Sequence, residues 1–109
     1  MKIVVTSQGP DDSSAVDQRF GRAPWLHILD AESGERNVVD NTANAQGHSG
    51  VGVTTAQLVV DAGADVVLTG RLGPNAQRVL EGAGIKVVLG VTGTVGEAVA
   101  AFRDVAGTN

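Results

Sequence analysis

The sequence predicts an α/β fold around a five-stranded mixed sheet, with element order β-β-β-α-β-α-β-α, and three observations lead there. Apolar, largely β-branched runs at Lys2–Thr6, Asp65–Thr69 and Ile85–Leu89 lack polar alternation, as strands covered on both faces do. Two further strand patterns lie close together after the first run. In the second half, strands and helix-spaced segments alternate with short links, which implies right-handed crossovers and parallel pairing.

Each element has its own justification. Lys2–Thr6 runs into Ser7–Ser14, rich in Ser, Gly, Pro and Asp, which is a surface loop by turn chemistry. Trp25–Asp30 and Arg36–Asp40 are separated by a link of hairpin length, Glu32-Ser33-Gly34-Glu35, so they should pair antiparallel. After the polar segment Asn41–Ser49, Val53, Ala56, Gln57 and Val60 follow i, i+3, i+4, i+7 spacing, widened by Leu58 and Val59, and Gly63 closes this helix. Ala76, Val79, Leu80 and Ala83 mark a second helix, and Val95, Ala98, Val99 and Phe102 a third. Thr94 and Glu97 have the spacing of a capping box at the start of the last one. With the first strand central, the hairpin on one side and the two later strands on the other, this is the ribonuclease-H-like topology, a sheet between helical layers. Residues 1–109 are expected to form one domain, the common size for a single core.

Composition narrows the function. No apolar run approaches the roughly 20 residues that cross a bilayer. Neither a basic start nor a cleavage site precedes Gln8 and Gly9, so a cytoplasmic location is expected and a membrane partner is not. The chain has no cysteine, which removes disulfides, thiolate nucleophiles and thiolate metal cages. A formal charge of -4 argues against nucleic acid as a partner, and Phe20, Trp25 and Phe102 offer no stacking platform for single strands.

Ligand crevices in open α/β sheets lie beyond the carboxyl ends of the parallel strands, here the loops Ser7–Ser14, Gly70–Asn75 and Gly90–Thr94. In Gly70-Arg71-Leu72-Gly73-Pro74-Asn75, Gly73 suits a helix cap and Pro74 the first helical position. The free N–H groups beyond them would cradle an anion, unless the glycines and proline simply make a tight turn. Arg19 and Arg22, around Phe20-Gly21, would give an anionic ligand forked donors, with Phe20 anchoring the loop; the alternative is that both are solvated or pair with Asp17 and Asp12. His48, on the Gly-rich loop Gln46–Gly52, is a candidate metal ligand or an exposed loop residue, and His27, mid-strand, is a weaker candidate. Catalytic machinery is not visible. The central first strand carries no carboxylate for two-metal chemistry, and neither a G-x-S-x-G elbow nor a Walker loop is present.

Taken together, Arg19-Phe20-Gly21-Arg22-Ala23-Pro24, the Gly/His loop before a helix, Leu72-Gly73-Pro74-Asn75-Ala76, and Gly84-Ile85-Lys86-Val87 followed by Thr94-Val95 resemble, along nearly the whole chain, the dinitrogenase iron-molybdenum-cofactor biosynthesis proteins of the NifX and NifB C-terminal type. The resemblance implies the ribonuclease-H-like fold and a non-enzymatic protein that binds an iron-sulfur or iron-molybdenum type cluster and passes it on among cofactor-assembly proteins. Members of that family often carry His where this chain has Arg19, and some carry cysteines. Carried over residue by residue, the resemblance points to Arg19, Phe20, Gly21, Arg22, Arg71, Gly73 and Asn75 as cofactor contacts and to His48 as metal ligand. The alternatives are a regulatory module for a small anion or nucleotide at the same sheet edge, and a hydrolase on the shared topology.

Overall fold

The computed structural model describes residues 1–47 and 50–107. Strands β1 (Lys2–Ser7), β2 (Trp25–Asp30) and β3 (Arg36–Asp40) are followed by helices α1 (Thr42–Ala45) and α2 (Val51–Asp61). Then come β4 (Val66–Leu68), α3 (Pro74–Gly82), β5 (Lys86–Val88) and α4 (Val95–Gly107). The sheet has the order β3-β2-β1-β4-β5, with β1 central, antiparallel to β2 and parallel to β4. β2 pairs antiparallel with β3, and β4 parallel with β5.

The period-two pleat explains the two cores. Val4 and Val67 point to one face, where Ala56 and Val59 of α2 and Ala76 and Leu80 of α3 cover them. Ile3, Val5, Val66 and Leu68 point to the other, against Val95, Ala98 and Val99 of α4. The hairpin turns where Asp30 N–H donates to Glu35 O (2.9 Å) and Gly34 N–H to Asp30 O (2.8 Å), with Gly34 at φ +76°, a conformation that costs a side chain dearly. The Asp30 carboxylate accepts the Glu32 and Ser33 N–H groups, which hold it below the usual carboxylate range. α2 ends the same way as the hairpin turn, with Gly63 at φ +77° and its N–H on Val60 O (3.0 Å). α4 begins with the capping box: Thr94 N–H donates to Glu97 Oε1 (3.0 Å) and Glu97 N–H to Thr94 Oγ1 (3.1 Å).

Three details depart from the sequence pattern. The segment after β3 contains the short helix α1, nucleated where Asp40 Oδ1 accepts the Thr42 N–H (2.9 Å). α2 buries Thr55, Ala56 and Val59 and leaves Val53 exposed. Its closest approach is set by Gly52, whose Cα lies 2.8 Å from where a Cβ on Gly21 would stand, and the buried Thr55 hydroxyl is satisfied by Asn41 Nδ2 (3.1 Å). The Ile85–Leu89 run is an edge strand, not a fully covered one: Lys86 is exposed and Leu89 is 55% exposed. An apolar run looks alike at the edge and the centre of a sheet, so its pattern alone does not separate them.

Candidate functional site

The segments that follow β1, β4 and β5 are stitched together by backbone hydrogen bonds. Asp17 N–H donates to Thr6 O and Val16 N–H to Gly93 O, both 2.9 Å. Val95 and Gly96 N–H groups donate to Ser14 O (2.9 Å) and Asp12 O (3.0 Å), so the first free donors of α4 are already engaged by the Ser7–Ser14 loop. Arg71 N–H donates to Gln18 O (2.8 Å) and Phe20 N–H to Arg71 O (3.1 Å), which aligns residues 19 and 71 in parallel. Beneath this seam the Thr6 hydroxyl donates to Asp17 O (2.8 Å) and accepts from Thr69 Oγ1 (2.7 Å), all out of solvent. The approach of the two loops requires Gly70, since a Cβ there would stand 2.5 Å from Gln18 Cα and 2.6 Å from Gln18 O.

Two adjoining clefts open over this seam. One, of about 550 Å³, is lined by Asp17, Arg19, Arg22, Thr42 and Gln46, with Gln8, Pro24 and Ala45 completing it. The other, of about 290 Å³, is lined by Arg19, Phe20, Gly21, Arg71, Leu72 and Gly73. Arg19 borders both. Its side chain is 57% exposed, with Nε 3.6 Å from Asp17 Oδ1, and its own N–H donates to that same oxygen at 2.8 Å. Phe20 is buried beneath it, holding the loop in the α2/α3 core. At the second cleft Gly73 is the cap position of α3, with Pro74 at its first helical position and no side chain capping it, so a helix N-terminus with its positive dipole end borders the cleft.

The candidate residues therefore separate by what they touch. Arg19 and Arg71 come together across the seam, with Phe20, Gly21 and Gly73 lining the same cleft. Arg22 lines the larger cleft but spends Nη1 on Ala45 O (2.9 Å) and Gly47 O (2.7 Å), at the end of α1. Asn75 lines neither cleft, and its Oδ1 accepts from Arg78 Nη1 (3.4 Å) along α3. His48 lies outside the described residues. Asp12 pairs with Arg36 of β3 rather than with Arg19 or Arg22. His27 is buried in β2, its Nε2–H donating to Gly9 O (2.9 Å) and its Nδ1 unpaired.

Asp17 is the residue whose place the sequence pattern does not reveal. Its side chain is 3% exposed, and it lines the larger cleft between Arg19 and the carboxyl end of β1, where its backbone bonds to Thr6. Its proximity to Arg19 in sequence is the one available signal, and it suggests only a surface ion pair. On a chain of net charge -4, the two clefts gather Arg19, Arg22 and Arg71 around the single carboxylate of Asp17. That makes the region locally basic. Among the described residues no group of three or more His, Asp or Glu side chains converges as a metal cage, and the chain has no thiolates. The donors present suit a preformed anion better than a bare metal ion.

Comparison with known proteins agrees with this architecture. The chain is 41% identical to the orange protein of Desulfovibrio gigas, solved in its apo form, with a TM-score of 0.89 over 94% of this chain and 87% of that one. A Thermotoga protein solved by NMR as a candidate NifB protein is 38% identical, with a TM-score of 0.80 over 94% of this chain and 87% of that one. An uncharacterised protein of Methanocaldococcus jannaschii is 31% identical over 107 residues, 95% of this chain and 86% of the relative. The family model described as dinitrogenase iron-molybdenum cofactor matches residues 1–105, and the chain belongs to that family.

Proposed function

We propose that this protein is a non-enzymatic carrier. Its cargo is a preformed anionic metallocluster of iron-sulfur or iron-molybdenum type, received from and released to cofactor-assembly proteins, on a fold of ribonuclease-H-like topology. The observation that carries the reading is the placement of Arg19 at the border of both clefts with Arg71 bonded beside it, next to the uncapped start of α3. Guanidinium groups and backbone N–H groups donate to the sulfides or oxides of an intact cluster without replacing its metal ligands. Open clefts with exposed arginines suit reversible holding, which is what a carrier needs. Family membership and the likeness to a protein solved in apo form support the same reading. His48 follows directly on Gly47, whose carbonyl Arg22 holds, and is the side chain we assign as a metal ligand.

The test is anaerobic titration with a preformed iron-sulfur cluster precursor, read as visible absorbance co-eluting with protein on gel filtration. Stoichiometric colour is expected, weakened about tenfold or more in Arg19→Gln and Arg71→Gln, each of which loses a charge-assisted contact. His48→Ala reports separately on ligation. No co-eluting colour with the wild-type protein would overturn the carrier reading. The uncapped α3 start favours a second reading, a small-anion or nucleotide module, which predicts colourless, salt-sensitive binding of inorganic phosphate or nucleotide at Gly73.

A further inference from the structure

The two edges of the sheet are finished differently. β3 carries Arg36, Asn37 and Asp40, the charged and amide residues that discourage pairing with another strand. β5 has only Lys86, and its run continues into the exposed Leu89. Its inner side is fully used: Lys86 N–H donates to Asp65 O (3.0 Å), Thr69 N–H to Val88 O (3.1 Å) and Gly90 N–H to Gly70 O (2.8 Å). Backbone groups alternate along a strand, so the N–H and C=O of Val87 and Leu89 point away from the sheet.

Beside this edge, between β5 and α4, runs a groove of about 890 Å³ with Val88, Leu89, Ala101 and Phe102 in its walls. Its charges sit at opposite ends. Lys86 opens β5, its ammonium 5.8 Å from the centre of the Phe102 ring, while Glu97 lies in the first turn of α4 beside Gly93.

We propose that this edge binds a second copy of the chain, β5 against β5, antiparallel about a two-fold axis through Val87. That register meets each Val87 N–H with the partner's Val87 carbonyl and each Leu89 N–H with the partner's Ile85 carbonyl. Ile85 contributes only its carbonyl, because its own N–H is engaged by Leu80 O (3.0 Å). Lys86 falls opposite Val88, so no like charges meet across the new pair. The same rotation reverses the groove end for end and brings each Lys86 toward the partner's Glu97. The groove is thus complementary in charge to itself, which a second copy satisfies in duplicate. Pairing also covers Leu89.

Sedimentation equilibrium of the full chain tests this. The expected result is a species of twice the 11.0 kDa chain mass. Lys86→Glu, which sets like charges against each other twice, should raise the dimer Kd about tenfold or more. Glu97→Gln, which keeps the capping hydrogen bonds and removes the charge, should also weaken association. Leu89→Lys, at an exposed position that leaves folding undisturbed by circular dichroism, should weaken it independently. Hydrogen exchange at the Val87 and Leu89 amides should slow as protein concentration rises, with no change along β3. A chain that stays at 11.0 kDa up to about 1 mM would overturn the proposal, as would a dimer indifferent to Lys86→Glu and Leu89→Lys.

Discussion

Replacing Gly70 with alanine adds one methyl group at the seam between the site loops. Gly70 does not have a positive φ, so the backbone itself tolerates alanine. The obstacle is contact: the new Cβ would stand 2.5 Å from Gln18 Cα, where carbon atoms rest at about 3.5–4.0 Å. The loops must part by about 1 Å, which stretches Arg71 N–H to Gln18 O (2.8 Å) and Phe20 N–H to Arg71 O (3.1 Å) beyond useful length. Two net hydrogen bonds at about 1 kcal/mol each, added to an overpacking strain of about 1–3 kcal/mol and relieved in part by solvent, give a loss of about 2–4 kcal/mol. In urea the unfolding midpoint should fall by about 1–2 M. Gly73→Ala is the matched control, since a Cβ there meets nothing within 4 Å and φ is -74°. Its gain from a stiffer unfolded chain and its loss as a poorer helix cap should cancel to within about 0.5 kcal/mol. Indistinguishable midpoints for the two variants would refute the claim that the loops are locked by close approach at Gly70.

Two further outcomes follow from the same geometry. Asn41→Ala should cost about 2–3 kcal/mol by denaturant unfolding, because it strands the buried Ala23 carbonyl (3.0 Å) and Thr55 hydroxyl (3.1 Å) that Asn41 Nδ2 now serves; a loss under about 0.5 kcal/mol would show that water replaces it. The Glu97 carboxyl is held below its unfolded value of 4.5 by the N–H and hydroxyl of Thr94. The resulting stability is fully present above that value and is lost as pH falls through the lower folded one. Glu97→Gln keeps the hydrogen-bonding box without the titration, so its melting temperature should fall less steeply below pH 4.5, and parallel curves would contradict the assignment.

What could be read from the sequence was whatever leaves a local trace. The Thr94/Glu97 box, Gly73-Pro74 at the start of α3 and Gly63 at the end of α2 each announce themselves within a few residues. The sheet order followed because three apolar runs and a hairpin leave few arrangements. α1 was silent because four residues carry no periodicity. The different fates of Arg19 and Arg22 were equally silent. Arg22 is drawn to carbonyls at Ala45 and Gly47, far along the chain, and Asp17 is held in place by backbone bonds to Thr6, which lies eleven residues earlier in β1. The edge position of β5 depends on which strand follows it in the sheet, and nothing within Lys86–Val88 records that.

The backbone stitching at the carboxyl edge also bears on how the chain is made. Ser14 bonds to Val95, and Phe20 to Arg71, partners far apart along the chain. A chain emerging from the ribosome therefore holds Arg19 long before it holds Arg71, and the smaller cleft comes into being only after β4 and the loop that follows it. Closing such distant pairings is the slow part of folding, so the site should appear late and in one step with the rest of the sheet. A chain that ends before Arg71 would lack the seam on which the smaller cleft is built.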